Sequence, residues 1–257
     1  MEGPLQTATP TGEGTAYFDF LAALRALAKG DPVRFPPFEL ARWGGLTFCL
    51  NYDHDPIQRA LRNGRFYEAE ALRHVTKLLP AGADILDVGS NIGNHALYFA
   101  TQTNARRVVV IEPNPLAIAP LMANVVVNGL LGKVDLSYLG IGLSDHDEAG
   151  FTMDRHLRNL GATPMRKGDG QLVVRQGDAL FADDLFHFVK IDTEGMEIKV
   201  LSGLSDLISR CRPLVMVEVQ DSNIPQLTDW YTHHNYEPIE EWRVSRDASN
   251  YLLQPNG

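Results

Sequence analysis

Apolar residues are spaced in two regimes along the chain. Up to about residue 80 they recur at helical spacing between proline-rich connectors. A helix is expected over 16–29, closed by Gly30, followed by a connector holding Pro32, Pro36 and Pro37. Leu46–Asn51 (LTFCLN) reads as a strand and Pro56–Asn63 as a short helix. Tyr67–Leu79 predicts a clearer helix, apolar at 71, 75, 78 and 79 and stopped by Pro80. Residues 1–15, rich in Thr, Gly and Pro, are expected to lack fixed structure.

From residue 84 short, wholly apolar runs alternate with helical stretches. Strands are expected at Ile85–Val88, Val108–Ile111, Val134–Gly140, Phe186–Ile191 and Leu214–Val219. The helices between them fall at Asn94–Thr103, Pro115–Asn128 and Met196–Ser209. Runs apolar on both faces indicate a parallel sheet covered by helices on both sides. Gln171–Arg175 predicts a β insertion, and Tyr236–Val244 with Tyr251–Gln254 predicts an antiparallel hairpin closing the sheet.

Composition narrows the class. Of 257 residues, 44% are hydrophobic and 21% charged, a globular balance. A net charge of −9 disfavours nucleic acid as a partner. Two cysteines, Cys49 and Cys211, lack the spacing of a disulfide framework, a zinc site or a redox motif. No run approaches the ~18 apolar residues that cross a bilayer, and no signal peptide is visible. A cytoplasmic address without membrane association is the expectation.

Candidate chemistry sits where strands end. Asp87-Val88-Gly89-Ser90-Asn91-Ile92-Gly93 is a strand feeding a glycine turn that opens a helix. Such a turn either cradles a ligand with backbone N–H groups or merely satisfies tight geometry. Its G-x-x-x-G spacing departs from the G-x-G-x-x-G dinucleotide fingerprint. Glu112 ends the next strand, where a carboxylate can accept from both ribose hydroxyls, each bond worth ~1.5–3 kcal/mol; a lone Glu there is otherwise solvated. Asp192, Glu194 and Glu197 cluster after the fourth strand, facing the ligand crevice of an open sheet. Glu197 reads equally as a helix cap, Lys190 as structural or as an ion-pair partner, and Glu218 as a further crevice candidate. His233 and His234 are adjacent, and His146 and His156 lie in polar stretches, so no metal is expected, although a carboxylate set of Asp192 with Glu218 could in principle hold Mg²⁺.

DVGSNIGNHALYFA, VVVIEPNP, NVVVNG, KIDTEGMEIKVLSG and PLVMVEVQ together resemble the FkbM-type family of S-adenosylmethionine-dependent methyltransferases. The resemblance covers about residues 65–254. It implies a class I methyltransferase (Rossmann-like) α/β fold: a seven-stranded sheet, last strand antiparallel, with a mostly helical N-terminal extension. Residues 65–257 would form the S-adenosylmethionine-binding domain, and 1–64 an extension capping the acceptor side. By the same resemblance, Asp87, Gly89, Ser90, Asn91 and Gly93 would surround the cofactor's methionine part. Glu112 would hold its ribose, with Pro113 and Asn114 shaping the turn. Asp145 would lie near the adenine, unless its acidic loop is simply solvated. Tyr67 and Glu68 would face the cofactor from the helix before the first strand, although Tyr67 also suits core packing. Asp192 and Glu194 are the candidates for contacting the acceptor hydroxyl or its proton.

The expected activity is S-adenosylmethionine-dependent O-methylation of a small hydroxylated acceptor, a sugar or glycosylated metabolite. Three alternatives stand beside it. An N-methyltransferase would differ only in its acceptor pocket. A nicotinamide dehydrogenase would want a third glycine where Asn94, His95 and Ala96 follow Gly93. A non-catalytic cofactor-binding protein would keep Gly89 and Glu112 without turnover.

Overall fold

The computed structural model describes residues 18–153 and 159–257. The Thr/Gly/Pro-rich stretch 1–15 and His156 lie outside the described residues. The N-terminal part carries helix α1 (Phe20–Lys29), strands β1 (Glu39–Trp43) and β2 (Leu46–Leu50), and helix α2 (Pro56–Arg62). Asp19 caps α1 by accepting from Ala22 N, and Gly30 closes it in the left-handed conformation. β1 and β2 form an antiparallel hairpin. Ala23, Phe48, Leu50 and Leu61 share one apolar core with residues of the following domain, Leu72 and Leu121 among them.

Helix α3 (Ala69–Leu78) leads into β3 (Asp84–Val88), α4 (Asn94–Gln102), β4 (Arg107–Glu112), α5 (Pro115–Val127) and β5 (Val134–Leu139). The expected helix from Tyr67 starts two residues late because Glu68 is left-handed, with φ 54°. A four-stranded sheet follows, in the order β6-β9-β7-β8: β6 (Ile141–Ser144), β7 (Glu148–Met153), β8 (Met165–Lys167) and β9 (Leu172–Gln176). The short helix α6 (Gly177–Leu180) connects it to β10 (Phe188–Ile191). Then come α7 (Glu197–Gly203), α8 (Ser205–Cys211), β11 (Leu214–Gln220), α9 (Ile224–His233), β12 (Tyr236–Arg243) and β13 (Ala248–Pro255).

The main sheet has seven strands in the order β12-β13-β11-β10-β3-β4-β5. β11, β10, β3, β4 and β5 pair in parallel, and β13 enters antiparallel to both its neighbours. Alternate residues of one strand feed opposite layers. Ile85, Val108 and Val110 pack with Leu97 and Phe99, whereas Leu86, Val88, Val109 and Ile111 pack with Val200 and Leu201. Burial on both faces is why these strands read as unbroken apolar runs.

One helix expected over 196–209 is two, α7 and α8. At the junction Gly203 lies against the backbone of Ser144, where a Cβ would collide with the carbonyl oxygen. Leu204 beside it is fully buried. No described helix is long and apolar enough to cross a membrane.

The first strand and its glycine turn are locked to β10 by close contact. Gly89 has φ 79°, and a Cβ there would collide with the carbonyl oxygen of Asp192. Gly89→Ala is expected to destabilise the fold by about 3 kcal/mol or more, the left-handed cost adding to overpacking. Urea denaturation measures it, and an unchanged midpoint would contradict this packing.

Candidate active site

The carboxyl ends of β3, β4, β10 and β11 open into one pocket of about 340 Å³. Asn91, Glu112, Pro113 and Asn114 gather at the tips of β3 and β4, Asp192, Glu194 and Glu218 at those of β10 and β11, and Gly89 lies between, against the Asp192 backbone. Tyr67 lies on its wall, together with Pro56 and Ile57 from the start of α2. Of the remaining residues singled out by sequence, Asp87, Ser90 and Gly93 do not line the pocket but build its floor. The Ser90 hydroxyl donates to the Asp87 carbonyl, and Gly93 turns into α4 with φ 88°.

The glycine turn spends its backbone donors internally. Gly89 N and Ser90 N donate to the Ile111 carbonyl, Gly93 N to that of Ser90, and Asn91 N to Glu112 Oε2 at 2.7 Å. The turn therefore shapes the pocket, and what it offers a ligand is the Asn91 amide. Asn91 is buried, with neither side-chain atom partnered among the described residues. Asn91 is also left-handed, φ 50°, a conformation Asn tolerates better than most residues.

Glu112 clamps two loops at once. Its Oε1 accepts from Asn114 N and its Oε2 from Asn91 N, both at 2.7 Å. Burial pushes its carboxyl up to about 7, against the pull of these two bonds and of Lys190. Each oxygen accepts one bond here, so acceptor capacity remains on a group that lines the pocket. With the unpartnered Asn91 amide beside it, this end fits a ligand bearing vicinal hydroxyls and a polar tail.

The other end is acidic. Asp192, Glu194 and Glu218 each present an oxygen within 4.8 Å of the others, an arrangement that could also hold a cation. Burial and the neighbouring carboxylates raise Glu194 to about 8 and push Glu218 upward as well. Beneath them lies Lys190, whose Nζ sits 3.3 Å from Asp192 Oδ2, 3.6 Å from Asp87 Oδ1 and 3.1 Å from the Gly89 carbonyl. Burial works to lower its pKa, but Asp192 and Asp87 prevail and keep it charged. Glu194 is left-handed, φ 54°, a strained geometry for a side chain of that size.

Glu197 does not reach the pocket. Its Oε1 accepts from Gly195 N, Thr193 N and the Thr193 hydroxyl, so it fastens the turn before α7 instead of capping the helix, whose N-cap is Met196. Glu68 also turns away, towards the other side of Tyr67. Its Oε2 pairs with His95 Nε2 at 3.0 Å and its Oε1 accepts from Asn250 at 2.7 Å. Burial raises its pKa, yet the His95 bond and the Lys190 charge leave it below the usual range. Asn94 fastens the same segment, accepting from Tyr67 N and donating to the Tyr67 carbonyl. Tyr67 itself reaches the pocket rather than the core.

Asp145 does not line the pocket. Its carboxylate stays half-exposed, held by Ser144 Oγ and His146 Nδ1, because β6 carries the chain into the second sheet. Gly142 and Leu143, from β6 itself, line the pocket instead. Sequence reasoning also missed the loop Asn159–Thr163, which forms another wall. Buried Asp55 holds that loop, accepting from Leu160 N with Oδ2 and capping α2 through Gln58 N with Oδ1. Asp-Pro at a helix start signals the cap, but nothing in the sequence signals the second bond.

A doubly wound sheet with this crevice and an antiparallel penultimate strand in the layer order defines a class I S-adenosylmethionine-dependent methyltransferase. The chain belongs to the methyltransferase FkbM domain family, which it matches over residues 87–238. Among curated proteins it is similar to the AMB antimetabolite synthetase AmbE of Pseudomonas aeruginosa, 27% identical over 217 residues. That match takes in 62% of this chain and 10% of AmbE, so the chain spans only a small part of that relative's length. Among solved structures, the methyltransferase FkbM of Methylobacillus flagellatus aligns with a TM-score of 0.49 at 19% identity, over 69% of this chain and 45% of that one. The complex of aTrm5 with tRNALeu aligns with a TM-score of 0.53 at 11% identity, over 85% and 53%, a likeness of fold alone.

Glu112 gives this end of the pocket a pH signature. Its folded value of about 7 lies above the ordinary 4.5, so the folded chain holds an extra proton between those values. Relative to Glu112→Gln, stability is expected to be greatest below about 4.5 and to fall as pH rises to about 7, by up to about 3 kcal/mol. Parallel denaturation curves between pH 4 and 8 check this, and a pH-independent difference would contradict it.

Proposed function

We propose that the chain methylates a hydroxyl of a sugar or glycosylated secondary metabolite, with S-adenosylmethionine as donor. The observation that carries this is the division of one pocket into a Glu112 end and a carboxylate end. S-adenosylmethionine supplies an activated methyl group when bound. Glu112 accepts from its ribose hydroxyls, Pro113 and Asn114 shape the turn beside them, and Gly89 and Asn91 lie along the methionine part. Tyr67 walls the cofactor side. Asp87, Ser90 and Gly93 hold the floor, and Glu68 acts on the site through Tyr67.

Asp192 and Glu194 orient the acceptor hydroxyl and receive its proton, with Glu218 beside them. Carboxylates accept from hydroxyls, and three of them together suit a polyol. Orientation alone is worth ~7–11 kcal/mol, so the weak base such a cluster supplies is sufficient. Residues 18–64 contribute Pro56 and Ile57 to the wall and fasten the Asn159–Thr163 loop through Asp55, which supports a capping role on the acceptor side. AmbE's name as an antimetabolite synthetase favours a secondary-metabolite setting. The acidic end also suits an amine, and N-methylation is the second reading.

A mass-spectrometric screen of glycoside and amine acceptors with labelled cofactor tests this reading. A labelled methyl on a glycoside oxygen is expected, and label on amines alone would select the second reading. With the acceptor in hand, Asp192→Asn and Glu194→Gln should lower turnover by ~10²–10⁴ with cofactor affinity nearly intact, whereas Glu112→Gln should weaken the cofactor. Wild-type turnover in both acid variants would return Asp192 and Glu194 to a structural role.

A further inference from the structure

A second groove, of about 470 Å³, lies on the far side of Tyr67. It adjoins the reaction pocket, sharing Pro56, Tyr67 and Val244 with it. The two carry opposite charge. Arg59 and Arg65 line the groove, both are exposed, and neither has a carboxylate partner among the described residues. Arg62, on α2 with Arg59, is different, since Glu39 holds its guanidinium at 2.7 Å. Of the other charged groups in the groove, Arg243 is spent on Asp221 and Glu68 on His95 and Asn250. Among the described residues Glu70 remains as the groove's one acid without an ion-pair partner.

We propose that this groove binds an anionic substituent of the methyl acceptor, a phosphate ester or a carboxylate, through Arg59 and Arg65. The proposal rests on the acceptor reading given above and narrows its substrate class. Guanidinium forks match both anions bidentately, which a lysine pair would not. The half-buried ring of Trp242 on the groove wall gives the body of such a ligand an apolar surface. With a chain charge of −9, an anion is drawn here only by these local cations. The acceptor would thus be anchored by its charge in the groove while a hydroxyl reaches Asp192 and Glu194.

Calorimetry on the full chain saturated with S-adenosylhomocysteine, titrated with glucose, glucose 6-phosphate and glucuronate, tests the assignment. At least one anionic sugar should bind roughly ten-fold tighter than glucose. Which one does so distinguishes phosphate ester from carboxylate. The double variant Arg59→Gln with Arg65→Gln should lose that preference, and Arg62→Gln should keep it. Equal affinity for all three sugars, no binding of either anion, or a preference that survives the double variant would overturn the proposal. S-adenosylhomocysteine affinity on the same samples separates the two claims. Its absence sinks the methyltransferase reading, whereas cofactor binding without anion preference sinks only the groove.

Discussion

A single buried ammonium organises this site. Lys190 is almost wholly enclosed, yet it touches Asp87 below, Asp192 beside it and the Gly89 carbonyl above. Burying one charge is costly, and removing one partner of such a set typically costs ~3–5 kcal/mol. The ends of β3 and β10 are therefore tied at the point where the glycine turn and the acidic cluster meet. The close approach of Gly89 to the Asp192 backbone follows from the same constraint. Moving either strand would leave a buried charge uncompensated.

Around that tie the pocket divides its work. Glu112 secures both loops at its end with its own oxygens, so the geometry of both depends on one side chain. At the acidic end one lysine cannot neutralise Asp192, Glu194 and Glu218 together, and the surplus appears as raised Glu194 and Glu218. Three site residues, Glu68, Asn91 and Glu194, hold left-handed backbones at modest energetic cost. Hydrogen bonds enforce this at two of them: at Glu68 through His95 and Asn250, and at Asn91 through Glu112.

Much of this was legible in the residues. The strands of the main sheet announce themselves because both faces are buried, and the terminal hairpin because its turn is polar. Glu112, Asn91, Asp192 and Glu194 stand at strand ends, where topology directs them to one crevice. What escaped is non-local. β1 has no fully buried residue, and β6 runs on from β5 past Gly140, so neither strand has a pattern of its own. The half-exposed place of Asp145 was not legible because an acidic loop after a strand looks alike whether it faces a pocket or solvent. Asp55 and the Asn159–Thr163 loop meet across 105 residues of sequence, which no local periodicity records.

A nucleoside site at the Glu112 end of the pocket, as proposed, takes S-adenosylmethionine and not a dinucleotide. Titration calorimetry of the purified chain with S-adenosylmethionine and, separately, NAD tests it most directly. Saturable binding of S-adenosylmethionine with no heat from NAD is the predicted result. Saturable binding of NAD with no response to S-adenosylmethionine would contradict it.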